Sequence, residues 1–233
     1  MLGIAGLRAR YGIVPVLRGV DLAVRSGEVR LLIGRNGSGK STTLKAVAGL
    51  VPIEAGSICV DGVEIGDAST RRRMLSGIAL VPQAGNRGRG IFPHLTVAEN
   101  LELMAAIRET EPAGFDTIWA LFPDLQGCMR KRAANLSGGQ QQMLAVGMAL
   151  MTRPRILLLD EPTCGIARGK ALELMRVVRS LAVEQGLAIL LVEQNVTLVR
   201  DYVDAVVALR SGEVVAEVAP QTLDDPSWFS NVL

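Results

Sequence analysis

A chain of 233 residues is long enough for one large domain, or a core with a smaller lobe, and buries enough surface to fold without a disulfide or metal staple. Its 25 basic and 23 acidic residues leave a net charge of +2, without the basic excess of a nucleic-acid surface, and its three cysteines (Cys59, Cys128, Cys164) contain no CxxC pair, which excludes a disulfide framework or zinc site and fits a reducing cytosol. Apolar runs such as AILLV (188–192) fall far short of the roughly 18 residues that span a bilayer, and Arg8, Arg10 and Arg18 near the N-terminus precede neither an h-region nor a cleavage pattern, so neither a membrane span nor a secretory signal is predicted.

Along the chain, VRLLIG (29–34), RILLLD (155–160) and AILLVE (188–193) are rich in branched apolar residues without polar alternation. Such segments read as strands buried on both faces and predict a parallel α/β core with its site along the C-terminal strand edge. VRSGEV (24–29), VDGVEI (60–65) and LRSGEV (209–214) each place a glycine-containing turn between β-rich residues and predict hairpins. The stretch AGNRGRG (84–90) reads as a solvated, flexible loop. Thr96 and Glu99 then form a T-x-x-E capping box ahead of NLELMAAI, opening a helical region. The expected division is an α/β core over 1–93 and 153–233, with a helical subdomain over 94–152 inserted between two sheet strands.

Between the first buried strand and a predicted helix lies GRNGSGKST (34–42), in which Gly34, Gly39, Lys40 and Ser41 satisfy GxxxxGK[ST]. Glycines let successive backbone N–H groups turn inward around phosphates, and the helix N-terminus adds a favourable partial charge. Gly34, Arg35, Asn36, Gly37, Ser38, Gly39, Lys40, Ser41 and Thr42 are thus the expected nucleotide cradle, with Lys40 on the β/γ-phosphates and the Ser41 hydroxyl on magnesium. RILLLDEP (155–162) delivers Asp160 at a strand tip, where a carboxylate holds a magnesium shell, and Glu161 beside it to orient or deprotonate water.

A second glycine-rich helix start, LSGGQ (136–140), is at its plainest another capping box, between Ser137 and Gln140. That leaves Gly138 and Gly139 unexplained, since each glycine in a helix costs roughly 1 kcal/mol against alanine. LSGGQ upstream of LLLDEP, together with the P-loop, resembles the signature of ABC ATPases over nearly the whole chain. The resemblance implies an ABC-type nucleotide-binding domain: a mainly parallel core sheet, an antiparallel β subdomain and an inserted helical subdomain. It also implies that two subunits pair head to tail, so that Ser137, Gly138, Gly139 and Gln140 of one contact ATP on the P-loop of the other. By the same resemblance Tyr11 stacks on adenine, although a buried tyrosine explains it equally well from sequence. Gln83, in ALVPQ (79–83), is similar to the glutamine that contacts magnesium and links the core to the helical lobe, and IFPHLTVAENL (91–101) to the surface that meets a transmembrane partner. His94 in that stretch is assigned an ordinary packing or surface role.

The chain departs from most ABC ATPases at Gln194, in LLVEQN (190–195), where the family carries a histidine near the γ-phosphate. An uncharged amide donor gives roughly half the strength of a charge-assisted one. LLVEQN, IFPHLTVAENL and LSGGQQQMLAVGMAL agree with one subset, the shorter ATP-binding subunit of branched-chain amino acid importers and the related urea/amide importers. Cys164 and Arg168 depart from that subset, and Cys164 reads as a small filler. The resemblance implies an ATPase using ATP and Mg2+, peripheral on the cytoplasmic face of the membrane. Its implied partners are a second ATPase subunit, transmembrane permease subunits and, indirectly, an extracytoplasmic solute-binding protein, with no nucleic acid. A soluble ABC ATPase of translation or repair would show two cassettes or a long coiled coil, and a small-substrate P-loop kinase would leave LSGGQ without a purpose.

Overall fold

A strand made wholly of branched apolar residues is stable only if both of its faces are covered, and the computed structural model meets that demand with two sheets and two layers of helix. It describes residues 1–84, 90–107, 114–225 and 227–228. In chain order β1 (Leu2–Tyr11) and β2 (Val14–Val24) lead to β3 (Val29–Ile33) and helix α1 (Lys40–Val47). Then come β4 (Ile53–Val60), β5 (Val63–Glu64), α2 (Thr70–Leu75) and β6 (Ile78–Val81). Four helices follow, α3 (Val97–Ile107), α4 (Phe115–Leu121), α5 (Pro123–Gln126) and α6 (Gly138–Met151). The chain closes with β7 (Ile156–Asp160), α7 (Arg168–Gln185), β8 (Ala188–Val192), α8 (Val196–Val199), β9 (Ala205–Arg210) and β10 (Glu213–Val218).

The larger sheet has the order β10-β9-β3-β8-β7-β6, parallel except for the β9–β10 hairpin. The smaller, β2-β1-β4-β5, is antiparallel. Leu31, Leu157, Leu159, Ile189 and Leu191 face a core shared with α6 and α7, while Leu32, Leu158, Leu190 and Val192 face one shared with α1 and the antiparallel sheet. This two-sided burial is why the three sequence runs lack alternation. Val97 and Leu101 of α3 and Ile118 of α4 belong to the same core as the sheet face.

VDGVEI and LRSGEV form the expected hairpins, β4–β5 and β9–β10. VRSGEV does not. Both edges of β3 are taken by β8 and β9, so β2 has no edge there to pair with, and the turn passes the chain from one sheet to the other. Most of the AGNRGRG segment (85–89) lies outside the described residues.

Both capping boxes are formed. The Thr96 N–H donates to Glu99 Oε2 at 2.7 Å and the Glu99 N–H to Thr96 Oγ1 at 3.2 Å. Likewise the Ser137 N–H donates to Gln140 Oε1 at 3.0 Å and the Gln140 N–H to Ser137 Oγ at 3.3 Å. Beneath α1, the buried guanidinium of Arg73 donates to the carbonyls of Ala46 and Val47 at the helix C-terminus and to those of Gly66 and Ala68. A cation there favours the negative end of the helix whose positive end faces the P-loop.

Candidate nucleotide site

The glycines of the first loop have separate physical reasons. A Cβ on Gly34 would lie 2.3 Å from the Leu209 carbonyl oxygen and 2.4 Å from Ser38 Oγ, so the loop closes only without one. Gly37 (φ 81°) and Gly39 (φ 108°), the latter capping α1, have left-handed backbones that glycine adopts at little cost. The turn opens a cavity of about 510 Å³ lined by Asn36, Gly37, Gly39, Lys40, Ser41 and Thr42 from this loop and helix, by Val16 from β2, and by Gln83, Glu161 and Gln194. Lys40 Nζ is held over the loop by the carbonyls of Gly34 (2.8 Å) and Arg35 (3.0 Å). Burial pushes its pKa down from 10.5 against the attraction of Glu161 and Asp160, a cost that an anionic phosphate would relieve.

Asp160, at the tip of β7, is 2% exposed and accepts a 2.9 Å hydrogen bond from the Ser41 hydroxyl. Burial raises its pKa, the Ser41 hydrogen bond opposes that rise, and the charge of Glu161 adds to it. A hydroxyl and a carboxylate brought together beside the glycine loop form a hard-oxygen donor set of the kind suited to magnesium, which binds through one or two carboxylates plus phosphates. The chain's residues therefore fit the ion.

Glu161, one residue on, has a left-handed backbone (φ 49°) although it is not glycine. Such residues persist only where their surroundings over-determine them, and cluster at functional sites. Its N–H donates to the Val192 carbonyl at 2.9 Å, fixing the turn to the end of β8. Gln83 Nε2 donates to Glu161 Oε2 and Gln194 Nε2 to Glu161 Oε1, each at 2.5 Å. The carboxylate offers only lone pairs, so both amides must present their NH₂ groups to it. Each carboxylate oxygen keeps room for a second donor, so a water can be added without losing either amide.

The structure thus brings Lys40, Ser41, Thr42, Gln83, Asp160, Glu161 and Gln194, residues from five separate elements or loops, to one edge of the parallel sheet. Ser137, Gly138, Gly139 and Gln140 do not line the cavity. Gly139 also has a reason within its own chain, since a Cβ there would lie 3.1 Å from Lys170 Cβ on α7. Tyr11, 49% exposed, stands at the end of β1 opposite Val14, outside the lining. Arg35 and Ser38 line a second cavity behind the loop, against Leu209 and Ser211. Sequence reading missed Val16, whose place depends on where β2 crosses the loop, and the buried Glu193, visible only as an unexplained acid in VEQN.

A glycine loop that leaves a buried parallel strand and opens a helix, with the helix's serine bonded to an aspartate at the tip of the strand next but one in the same sheet, defines the chain as a P-loop nucleoside triphosphatase. The family model described as ABC transporter matches residues 17–164. The chain is 36% identical to the high-affinity branched-chain amino acid transport ATP-binding protein BraG of Pseudomonas aeruginosa, over 92% of this chain and 91% of that protein. It is 36% identical to the probable branched-chain amino acid transport ATP-binding protein LivF of Archaeoglobus fulgidus (92% and 90%), and 32% identical to the glutamine transport ATP-binding protein GlnQ of Geobacillus stearothermophilus (95% and 89%). Among solved structures, a nucleotide-free ATP-binding cassette from an ABC transporter matches with TM-score 0.85 at 26% identity, over 97% of this chain and 96% of that one. A dimeric cassette in a post-hydrolysis state, bound to ADP and Pi, matches with TM-score 0.82 at 25% identity (94% and 99%). The chain belongs to the ABC transporter family, has its nucleotide-binding fold and is an ATP hydrolase. Among the described residues no helix is long and apolar enough to cross a membrane.

Proposed function

We propose that the chain powers an importer for branched-chain amino acids, as one of two ATPase subunits on the cytoplasmic face of the membrane. Separate transmembrane permease subunits form the path, and an extracytoplasmic protein delivers the solute. The observation that most supports the pairing is the position of the second helix start. Ser137 is exposed and its capping box complete, yet none of Ser137 to Gln140 reaches the cavity beside Lys40, so this anion-favouring end is free for a nucleotide on another subunit. Isologous pairing lets each copy supply both halves.

In this reading the Gly37–Thr42 backbone and Lys40 bind the phosphates, and Ser41, Asp160 and Gln83 hold magnesium, which neutralises phosphate charge when bound. Tyr11 offers a ring to adenine. Glu161 receives the proton of the attacking water, while Gln194 holds the Glu161 carboxylate in place and donates toward the γ-phosphate side. Closure around two ATP molecules, and reopening once the γ-phosphate contacts are gone, follows from nucleotide contacts made on both chains only in the closed pair.

The reading is tested by co-purifying the membrane subunits, assembling the complex in lipid and measuring ATPase stimulation by candidate solutes through the binding protein. Stimulation by leucine, isoleucine or valine is expected. Stimulation by urea, an amide or glutamine instead would assign a different small polar solute, a second reading favoured by the 32% identity to the glutamine transport protein. Full turnover by a strict monomer would overturn the paired site.

A further inference from the structure

Glu193, the first residue after β8, is a carboxylate that the mechanism above leaves unused, although it is 3% exposed. A buried carboxylate is retained only when hydrogen bonds compensate it. Here Oε1 accepts the Thr163 N–H at 2.7 Å, and Oε2 accepts the Gln194 N–H at 3.2 Å. Burial pushes its pKa up from 4.5, against hydrogen bonds from Thr163, Gln194 and Asn195. Holding the charge there therefore has a cost.

What the carboxylate joins explains its use. Thr163 lies two residues beyond Glu161, in the turn closed by the Cys164 N–H donating to the Glu161 carbonyl at 3.1 Å, and this turn holds Glu161 in its left-handed backbone. Gln194 is the residue whose amide holds Glu161 Oε1. One buried side chain thus grips, by their backbones, both the turn that aims the base and the loop that aims the amide on it. We propose that Glu193 is a positioning residue for ATP hydrolysis, fixing the Glu161 turn and the Gln194 loop to one another so that the base and its amide partner keep a single geometry. The proposal rests on Glu161 being the base. Displacements of about 1 Å at reacting groups cost on the order of 100-fold in rate, so a tie of this kind acts on turnover and leaves the phosphate cradle, built from α1 and its loop, untouched.

The test is Glu193→Gln, with Glu193→Ala beside it. The amide keeps a carbonyl for the Thr163 N–H but turns an NH₂ group toward the Gln194 N–H, donor against donor, which frees the Gln194 loop. For Glu193→Gln, kcat is expected to fall about tenfold and the KM for ATP to stay within about twofold. Removing the buried charge and leaving donors unpaired act on stability in opposite directions, so the melting temperature should stay within about 3 °C of the parent. A structural glutamate would show the opposite pairing, with kcat falling only as far as the folded fraction falls. In a Gln194→Ala background the same substitution is expected to cost less than about twofold, because the partner it acts through is gone. Glu193→Ala, which frees both loops, is expected to lose more kcat than Glu193→Gln. Wild-type kcat in Glu193→Gln, an additive loss in the double variant, or KM rising in step with the loss of kcat would each overturn the proposal. Unchanged turnover in Glu161→Gln would instead remove the base on which the proposal rests, an outcome read on a different variant and so distinguishable.

Discussion

Replacing Glu161 by glutamine removes the carboxylate proposed as proton acceptor while leaving the shape of the site almost unaltered. The carboxylate accepts an amide N–H on each oxygen at 2.5 Å, from Gln83 and Gln194. The substituted amide offers one acceptor and one donor, so one of the two glutamines must turn its own amide around, which costs little because its two ends are nearly the same size. The backbone bond from residue 161 to the Val192 carbonyl is unaffected. Nucleotide affinity and folding should therefore persist, while loss of a positioned general base removes about 100- to 10,000-fold in rate, or about 3–5.5 kcal/mol of barrier lowering. Phosphate release gives kcat, nucleotide titration gives affinity, and size exclusion with ATP gives the oligomeric state. The expected result is a slow enzyme with unchanged affinity that accumulates as an ATP-bound pair. Turnover within about threefold of the parent would refute Glu161 as base and require another group in the cavity to receive the proton.

Mixing Lys40→Ala with Ser137→Ala chains, each inactive alone, should restore about a quarter of parental turnover if the pair is a homodimer. About half of the pairs are then mixed, and each mixed pair keeps one intact site of two; no restoration in a preparation shown to exchange subunits would count against a shared site. Arg73→Met should lower stability by about 3–5 kcal/mol, because four backbone carbonyls lose a buried guanidinium donor. A thermal melt should drop by about 10 °C, and a drop under about 2 °C would show that water replaces the cation. Backbone and side-chain hydrogen bonds from Thr96 hold the Glu99 carboxyl below its ordinary 4.5. With the native value depressed, this contribution is complete above 4.5 and is lost as pH falls through the native value. Urea midpoints measured across that range should show a fall that Thr96→Ala reduces, and an identical fall in the variant would refute the assignment.

The two adjacent glycines of LSGGQ mark how far local chemistry reaches. Ser137 and Gln140 were legible because a capping box is chemistry among four consecutive residues. Gly139 was not, because Lys170, which crowds it, is 31 positions away on α7. The VRSGEV turn misled for the same reason, since a turn sequence is local whereas the choice of neighbour for β2 depends on β8 and β9 having already filled both edges of β3.

By itself the sequence determined the buried strands, both helix starts and the glycine loop ahead of α1, since each depends on side-chain burial period or on backbone chemistry within a few residues. Only the tertiary structure decided that Asp160 meets Ser41, that Gln83 and Gln194 hold the two oxygens of Glu161, and that Glu193 grips two loops at once. All of those contacts except the Glu193–Gln194 bond join residues far apart in the chain, and the parallel strand order, with β8 seated between β3 and β7, is what brings their ends to one edge.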